Sequence, residues 1–274
     1  MNKFSLMVAT VGFGLMACNN SNPTRPNSTG PAVTNTVPSI ATPEANNQVE
    51  TSAAKQYVWW RGVNLAGAEF AEDQQPGVRG LYQDYDYPNQ GQVDYFASKG
   101  MNIFRLPFLW ERVQPNLYND FNANEIGLID EFVRATTAKG KLVILDPHNY
   151  GRYGKGRRTS DTGSANLIGS SAVPYSAFND LWKRLASRYK SNNKVIFNLM
   201  NEPNNMPTAN WVKAANGAIA TIRDVQAFNL ILVPGNRYSG AWSWNSSDKD
   251  GASNAEAMLQ IKDPYNWYWF EVHQ

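Results

Sequence analysis

The chain has 274 residues, a formal charge of +2 and a single cysteine. That length suits one large α/β domain or two small ones. The near-neutral balance argues against nucleic acid as the main partner, because phosphate-binding domains usually carry a concentrated basic face, and the lone cysteine excludes an internal disulfide.

The N-terminus reads as a targeting segment. Lys3 supplies a positive start, and Phe4 to Ala17 is a mostly apolar run ending in small residues, which matches a secretory signal and is too short for a membrane span. Leu15-Met16-Ala17-Cys18 resembles the lipobox of bacterial lipoproteins, in which the cysteine is lipidated. Residues 1–18 are therefore expected to direct export, with Cys18 as a lipid anchor on a bacterial membrane; the alternative is a soluble secreted protein. Residues 19–53 are rich in Asn, Ser, Thr, Pro and Ala and have too little apolar surface to offset chain ordering, so they are expected to form a disordered tether.

Residues 54–274 have a different texture. Six short apolar runs read as strands: Val58–Leu65, Asn102–Phe108, Lys141–Asp146, Lys194–Met200, Asn229–Val233 and Asn266–His273. Their near-continuous apolar character suits a parallel sheet covered on its faces. Between them lie stripes of helical period: Ile126, Ile129 and Val133; Phe178, Leu181, Trp182, Leu185 and Tyr189; and Trp211, Ala215, Ala218, Ile222 and Val225. Ser253 and Glu256 have capping-box spacing. Strand–helix alternation implies an open doubly wound sheet or a (β/α)8 barrel. Neither a Gly-x-Gly-x-x-Gly after the first strand nor a P-loop is present, which disfavours nucleotide-binding sheets. Polar residues recur at the C-terminal ends of the strands, the rim on which barrels build active sites. The α/β (β/α)8 TIM barrel is thus the expected fold, with about six of its eight units present.

Arg105 lies inside an apolar strand and requires a paired anion. His148, Asn201-Glu202 and His273 each stand at a strand end. The basic stretch Arg152 to Arg158 reads as a solvated loop. In chain order the motifs are Arg-Gly-Val-Asn-Leu-Ala-Gly from Arg61, Phe-Arg-Leu-Pro-Phe from Phe104, Asp-Pro-His-Asn-Tyr from Asp146, Asn-Glu-Pro from Asn201, Pro-Gly-Asn from Pro234, Tyr-Ser-Gly-Ala from Tyr238 and Glu-Val-His-Gln from Glu271. The ordered set resembles family 5 of the glycoside hydrolases, its β-1,4-glucan endoglucanases most closely.

The resemblance implies a retaining glycosidase with two carboxylates about 5–5.5 Å apart. Glu202 matches the acid/base, Asn201 the residue that binds the sugar 2-hydroxyl, Arg105 the holder of the nucleophile, and His148 and His273 the rim histidines. Tyr150 and Tyr238 lie in matching motifs and are expected to contact substrate. Trp242 and Trp244 read equally as a stacking platform or as packing under a loop, and Trp110 is a weaker stacking candidate. The family's nucleophile position falls beyond Gln274, so the chain is expected to be a fragment; Glu69 and Glu271 are the candidate substitutes within it. No cofactor and no catalytic metal are expected, because no His/Cys cluster has ligand spacing. The expected partner is a β-glucan polysaccharide. The rival readings are a family hydrolase of mannan, xyloglucan or mixed-linkage glucan, and a non-catalytic glycan-binding lipoprotein.

Overall fold

The structure is a computed structural model that describes residues 14–16, 60–71, 85–154, 166–247 and 251–274. The chain divides into two compact units, Met1–Met16 with Trp60–Gln274, and Ala17–Trp59. All described residues belong to the first. Cys18, the tether 19–53 and most of the basic stretch lie outside them.

Seven strands form one sheet: β1 (Gly14–Met16), β2 (Gly62–Asn64), β3 (Ile103–Phe108), β4 (Leu142–Pro147), β5 (Val195–Asn198), β6 (Ile231–Pro234) and β7 (Tyr268–Val272), in the order β1-β7-β6-β5-β4-β3-β2. Strands β2 to β7 are parallel and adjacent in chain order, the pattern of an incomplete (β/α)8 barrel. β1, inside the expected signal segment, pairs antiparallel with the outer edge of β7.

Helices α1 (Gln90–Ser98), α2 (Trp110–Val113), α3 (Ala123–Ala138), α4 (Tyr175–Tyr189), α5 (Thr208–Asp224) and α6 (Asn254–Ala257) lie between the strands. The stripes of α3, α4 and α5 are buried as their spacing requires, except Val225, which caps α5 and is half-buried. Phe178 of α4 packs between Trp110 and Trp211, with ring centroids 5.8 and 6.1 Å away. Ser253 and Glu256 close the expected capping box on α6.

Period-two alternation sorts each strand into two faces. Phe104, Leu106, Val143, Leu145, Val195, Phe197, Ile231 and Val233 join the main core with the helix stripes. On the opposite face Ile144, Ile196, Leu230 and Leu232 form a second cluster, with Trp60, Ile103, Leu142, Trp267 and Trp269 against it. The same face carries the polar residues Asn64, Arg105, Asp146, Asn198 and Glu271 toward the strand ends. An apolar floor therefore lies beneath a polar layer. At the other end of the barrel, Arg223 of α5 grips Asp263 bidentately at 2.9 and 2.8 Å and donates to Trp267 O, which fixes the entry to β7.

Candidate active site

The polar layer is built around Arg105. Its guanidinium donates to Asp146 Oδ2 at 2.8 Å, to Asn64 Oδ1 at 2.9 Å and to Asn201 Oδ1 at 2.7 Å, and its Nε lies 3.5 Å from Glu271 Oε1. The required anions are thus Asp146 and Glu271. Burial weakens the guanidinium's hold on its proton, but these two carboxylates, with Glu69 and Glu202, more than restore it. Asp146 is fully buried and saturated: Oδ2 also accepts from His148 Nδ1 at 2.7 Å, and Oδ1 accepts from Asn198 Nδ2 at 2.9 Å. Burial opposes its charge, yet Arg105 and His148 hold its pKa below the usual carboxylate value.

This contact also sets a tautomer. An ionised Asp146 only accepts, so Nδ1 of His148 carries a proton. His148 Nε2 then faces the Tyr150 hydroxyl, 3.3 Å away. Backbone bonds align the neighbouring strand ends: His148 N donates to Phe108 O at 2.8 Å and Asn201 N to Pro147 O at 2.9 Å.

Glu202 sits on the other side of this layer. Its Oε1 lies 2.6 Å from His273 Nδ1, and His273 Nε2 lies 3.2 Å from Glu271 Oε1. Burial works against protonation of His273, but the contacts with Glu202 and Glu271 and the Glu271 charge raise its pKa to about 9. Of these carboxylates Glu202 alone meets solvent to any extent: its side chain is 26% exposed, against 2% for Glu271 and 0% for Asp146.

The loop after β6 holds both Glu202 and His273. Arg237, Tyr238 and Ser239 form a left-handed turn with φ of 56°, 62° and 52°. From it Tyr238 N reaches Pro203 O at 3.1 Å, beside Glu202. His273 N donates to Ser239 O at 2.8 Å, and Ala241 N donates to His273 O at 2.7 Å. Glu202 and Tyr150 are also left-handed, with φ of 44° and 55°. Strain of this kind costs on the order of 1–3 kcal/mol per residue and persists only where the surroundings over-determine it.

The structure thus brings Glu202, Asn201, Arg105, His148, His273 and Tyr150 together on one rim. The aromatic candidates separate. Trp242 is 74% exposed and Tyr238 is 45% exposed, so both offer a face to a ligand. Trp244 is half-buried, packing on Phe270 with ring centroids 6.0 Å apart and against Gly235. Trp110 is fully buried against Tyr153 and Phe178, and its indole N–H is bound by Gln114 at 2.8 Å. It has no face left for stacking, and that expectation is corrected. Arg152 is also not solvated: it is 2% exposed and donates to Tyr150 O and Asn204 O, clamping the loops after β4 and β5.

The sequence reading assigned no role to Asp146, Asn198 or Asn64. Asp146 carried a usable signal, because it stands two residues before His148 and strand alternation puts both on one face. Glu69, the other substitute considered for the nucleophile, is 2% exposed and accepts from Gly67 N at 2.7 Å. Burial raises its pKa, with His148 pulling the other way.

Comparison with known proteins places this geometry in context. Residues 53–274 match the family model Cellulase (glycosyl hydrolase family 5). Endoglucanase gh5-1 of Neurospora crassa is 35% identical over 217 residues, covering 78% of this chain and 50% of that protein. The structure of XacCel5A in complex with cellopentaose aligns with a TM-score of 0.69 at 47% identity, covering 77% of this chain and 63% of that one. Pseudomonas stutzeri endoglucanase Cel5A in complex with cellobiose aligns with a TM-score of 0.65 at 37% identity, covering 76% of this chain and 57% of that one. The chain therefore spans between half and somewhat under two thirds of these relatives.

Proposed function

This chain belongs to glycosyl hydrolase family 5, and on that premise we propose that it carries the acid/base half of an endo-acting, retaining β-1,4-glucan hydrolase. The observation that carries the reading is Glu202, the solvent-accessible carboxylate of a rim whose other acids are buried and paired. Beside it, Asn201 accepts from Arg105 at Oδ1 and keeps a buried Nδ2 with no hydrogen-bond partner among the described residues. An orphaned donor at this point suits a sugar hydroxyl that arrives with substrate. Trp242 and Tyr238 supply exposed aromatic faces on the same loop, and the relatives crystallised with cellopentaose and cellobiose support a glucan ligand.

Glu202 gives a proton to the leaving glycosidic oxygen as the C1–O bond breaks, and later takes one from water. His148, through Nε2, and Tyr150 contact hydroxyls of the same sugar. A retaining reaction also needs a nucleophilic carboxylate about 5–5.5 Å away. Among the described residues Glu271 and Glu69 are buried and engaged, so we assign neither to that role. The test is hydrolysis of cellopentaose by the full-length protein, followed by proton NMR. Initial release of the β-anomer is expected; an α-anomer, or no cleavage of any β-glucan, overturns the reading.

We also propose export with lipidation at Cys18, supported by the lipobox-like Leu15-Met16-Ala17-Cys18. Labelled palmitate should enter the protein and be absent from Cys18→Ser; equal labelling of both rejects it.

A further inference from the structure

The polar layer contains a carboxylate that the proposed chemistry does not use. Glu271 is 1% exposed, lies on the barrel-facing side of β7, and is too deep to meet a polymer. Its Oε1 faces two cationic groups at once, Arg105 Nε at 3.5 Å and His273 Nε2 at 3.2 Å. The other ring nitrogen of His273 bonds Glu202 at 2.6 Å. On the far side Arg105 holds Asp146, and Asp146 holds His148. The groups form one connected line, buried at its centre and reaching solvent at its ends: His148, Asp146, Arg105, Glu271, His273, Glu202.

We propose that Glu271 is a positioning residue that acts on Glu202 through His273. The inference rests on the reading of Glu202 as acid/base. An anion beneath Nε2 keeps a proton on that nitrogen and orients the ring, so Nδ1 is directed at Glu202 Oε1. When both carboxylates are ionised, a proton on each ring nitrogen is favoured and His273 is an imidazolium, hydrogen-bonded to Glu202 and ion-paired with Glu271 at 3.2 Å. Two consequences follow for Glu202. Its Oε1 is occupied by a donor, so the proton it delivers must sit on Oε2. Once that proton has left, the carboxylate faces a cation already in place, with no reorganisation at the moment of transfer.

Every charged group around the ring bears on this arrangement. Glu271 comes from the ring's own strand, Glu202 from the loop after β5, Arg105 from β3 and Asp146 from β4. The two acids in contact favour the imidazolium, and Arg105 opposes it. Removing Glu271 leaves Arg105 facing the ring with one fewer compensating anion, so the effect on His273 should be large.

The experiment is histidine-selective NMR titration of the full-length protein. This chain contributes two rings, His148 and His273, and each is assigned by its substitution with Gln. In the parent, His273 is expected to titrate near 9. In Glu271→Gln its proton affinity should fall at least ~10-fold, one pH unit. An unchanged His273 titration in that variant overturns the proposal. Glu202→Gln is the second arm and decides alone if Glu271→Gln does not fold. With Glu271 still present the ring should titrate above its ordinary value of about 6.5, and titration at or below that value overturns the proposal. Hydrolysis is not read here, so failure of the glucanase assignment and failure of this inference are separate results.

Discussion

Glu202→Gln should lower hydrolysis of unactivated cello-oligosaccharides by about 10²–10⁴-fold, the usual contribution of a positioned general acid. The amide has the shape of the acid and still accepts from His273 Nδ1, so the rim and the fold should persist. It cannot release a proton to the leaving oxygen. Aryl cellobiosides with good leaving groups need little protonation in the first step, so their bond cleavage should lose far less. Their second step still needs a base to activate water, so a burst of phenol followed by slow turnover is expected. The comparison is made by rapid-mixing kinetics on the full-length protein. Equal losses on both substrate types, or parent-like rates on cellopentaose, would reject Glu202 as the acid.

The architecture was largely legible because parallel strands buried on both faces read as unbroken apolar runs. Leu142 to Pro147 and Val195 to Asn198 fall inside their predicted segments or within a residue of them. β2 begins at Gly62, inside the run expected from Val58 to Leu65, whose first two residues lie outside the described ones. Helix α1 was missed because Val93 is its only buried residue, which leaves almost no stripe to detect. Its signal was at the end, where Asn89 and Gln92 form a capping box.

The site was legible where one motif residue meets another at a strand end, as with His148, Glu202 and His273. It was not legible where tertiary packing decides. Trp110 and Trp242 both follow strand ends, and nothing local separates them. The first turns inward onto Phe178, and the second stands in solvent under the Arg237 guanidinium, 6.0 Å from the ring centre. Arg152 misled for the same reason: a basic cluster in the sequence is usually solvated, but here its first member closes the gap between two loops.

Arg105→Met should cost about 3–5 kcal/mol of stability, the usual penalty for removing one partner of a buried ion pair. The guanidinium is all but buried and forms ion pairs with two buried acids, Asp146 at 2.8 Å and Glu271 at 3.5 Å. Without it both carboxylates stay in a low-dielectric interior with only His148 and His273 beside them. They must either protonate or draw water into the barrel. A typical domain has about 5–15 kcal/mol to lose, so the variant should be visibly destabilised in urea and more so at neutral pH than at pH 4, where the orphaned acids take up protons. The cause can be separated from loss of packing, because Met fills much of the same volume. Adding Asp146→Leu to Arg105→Met removes one of the stranded charges and should return at least about 1 kcal/mol, since buried pairs replaced by apolar residues are often neutral in stability. Activity should not return with it, because His148 then loses the acceptor that sets its tautomer. A single variant within about 1 kcal/mol of the parent, or a double variant no more stable than the single, would mean that Arg105 is not what keeps these acids charged.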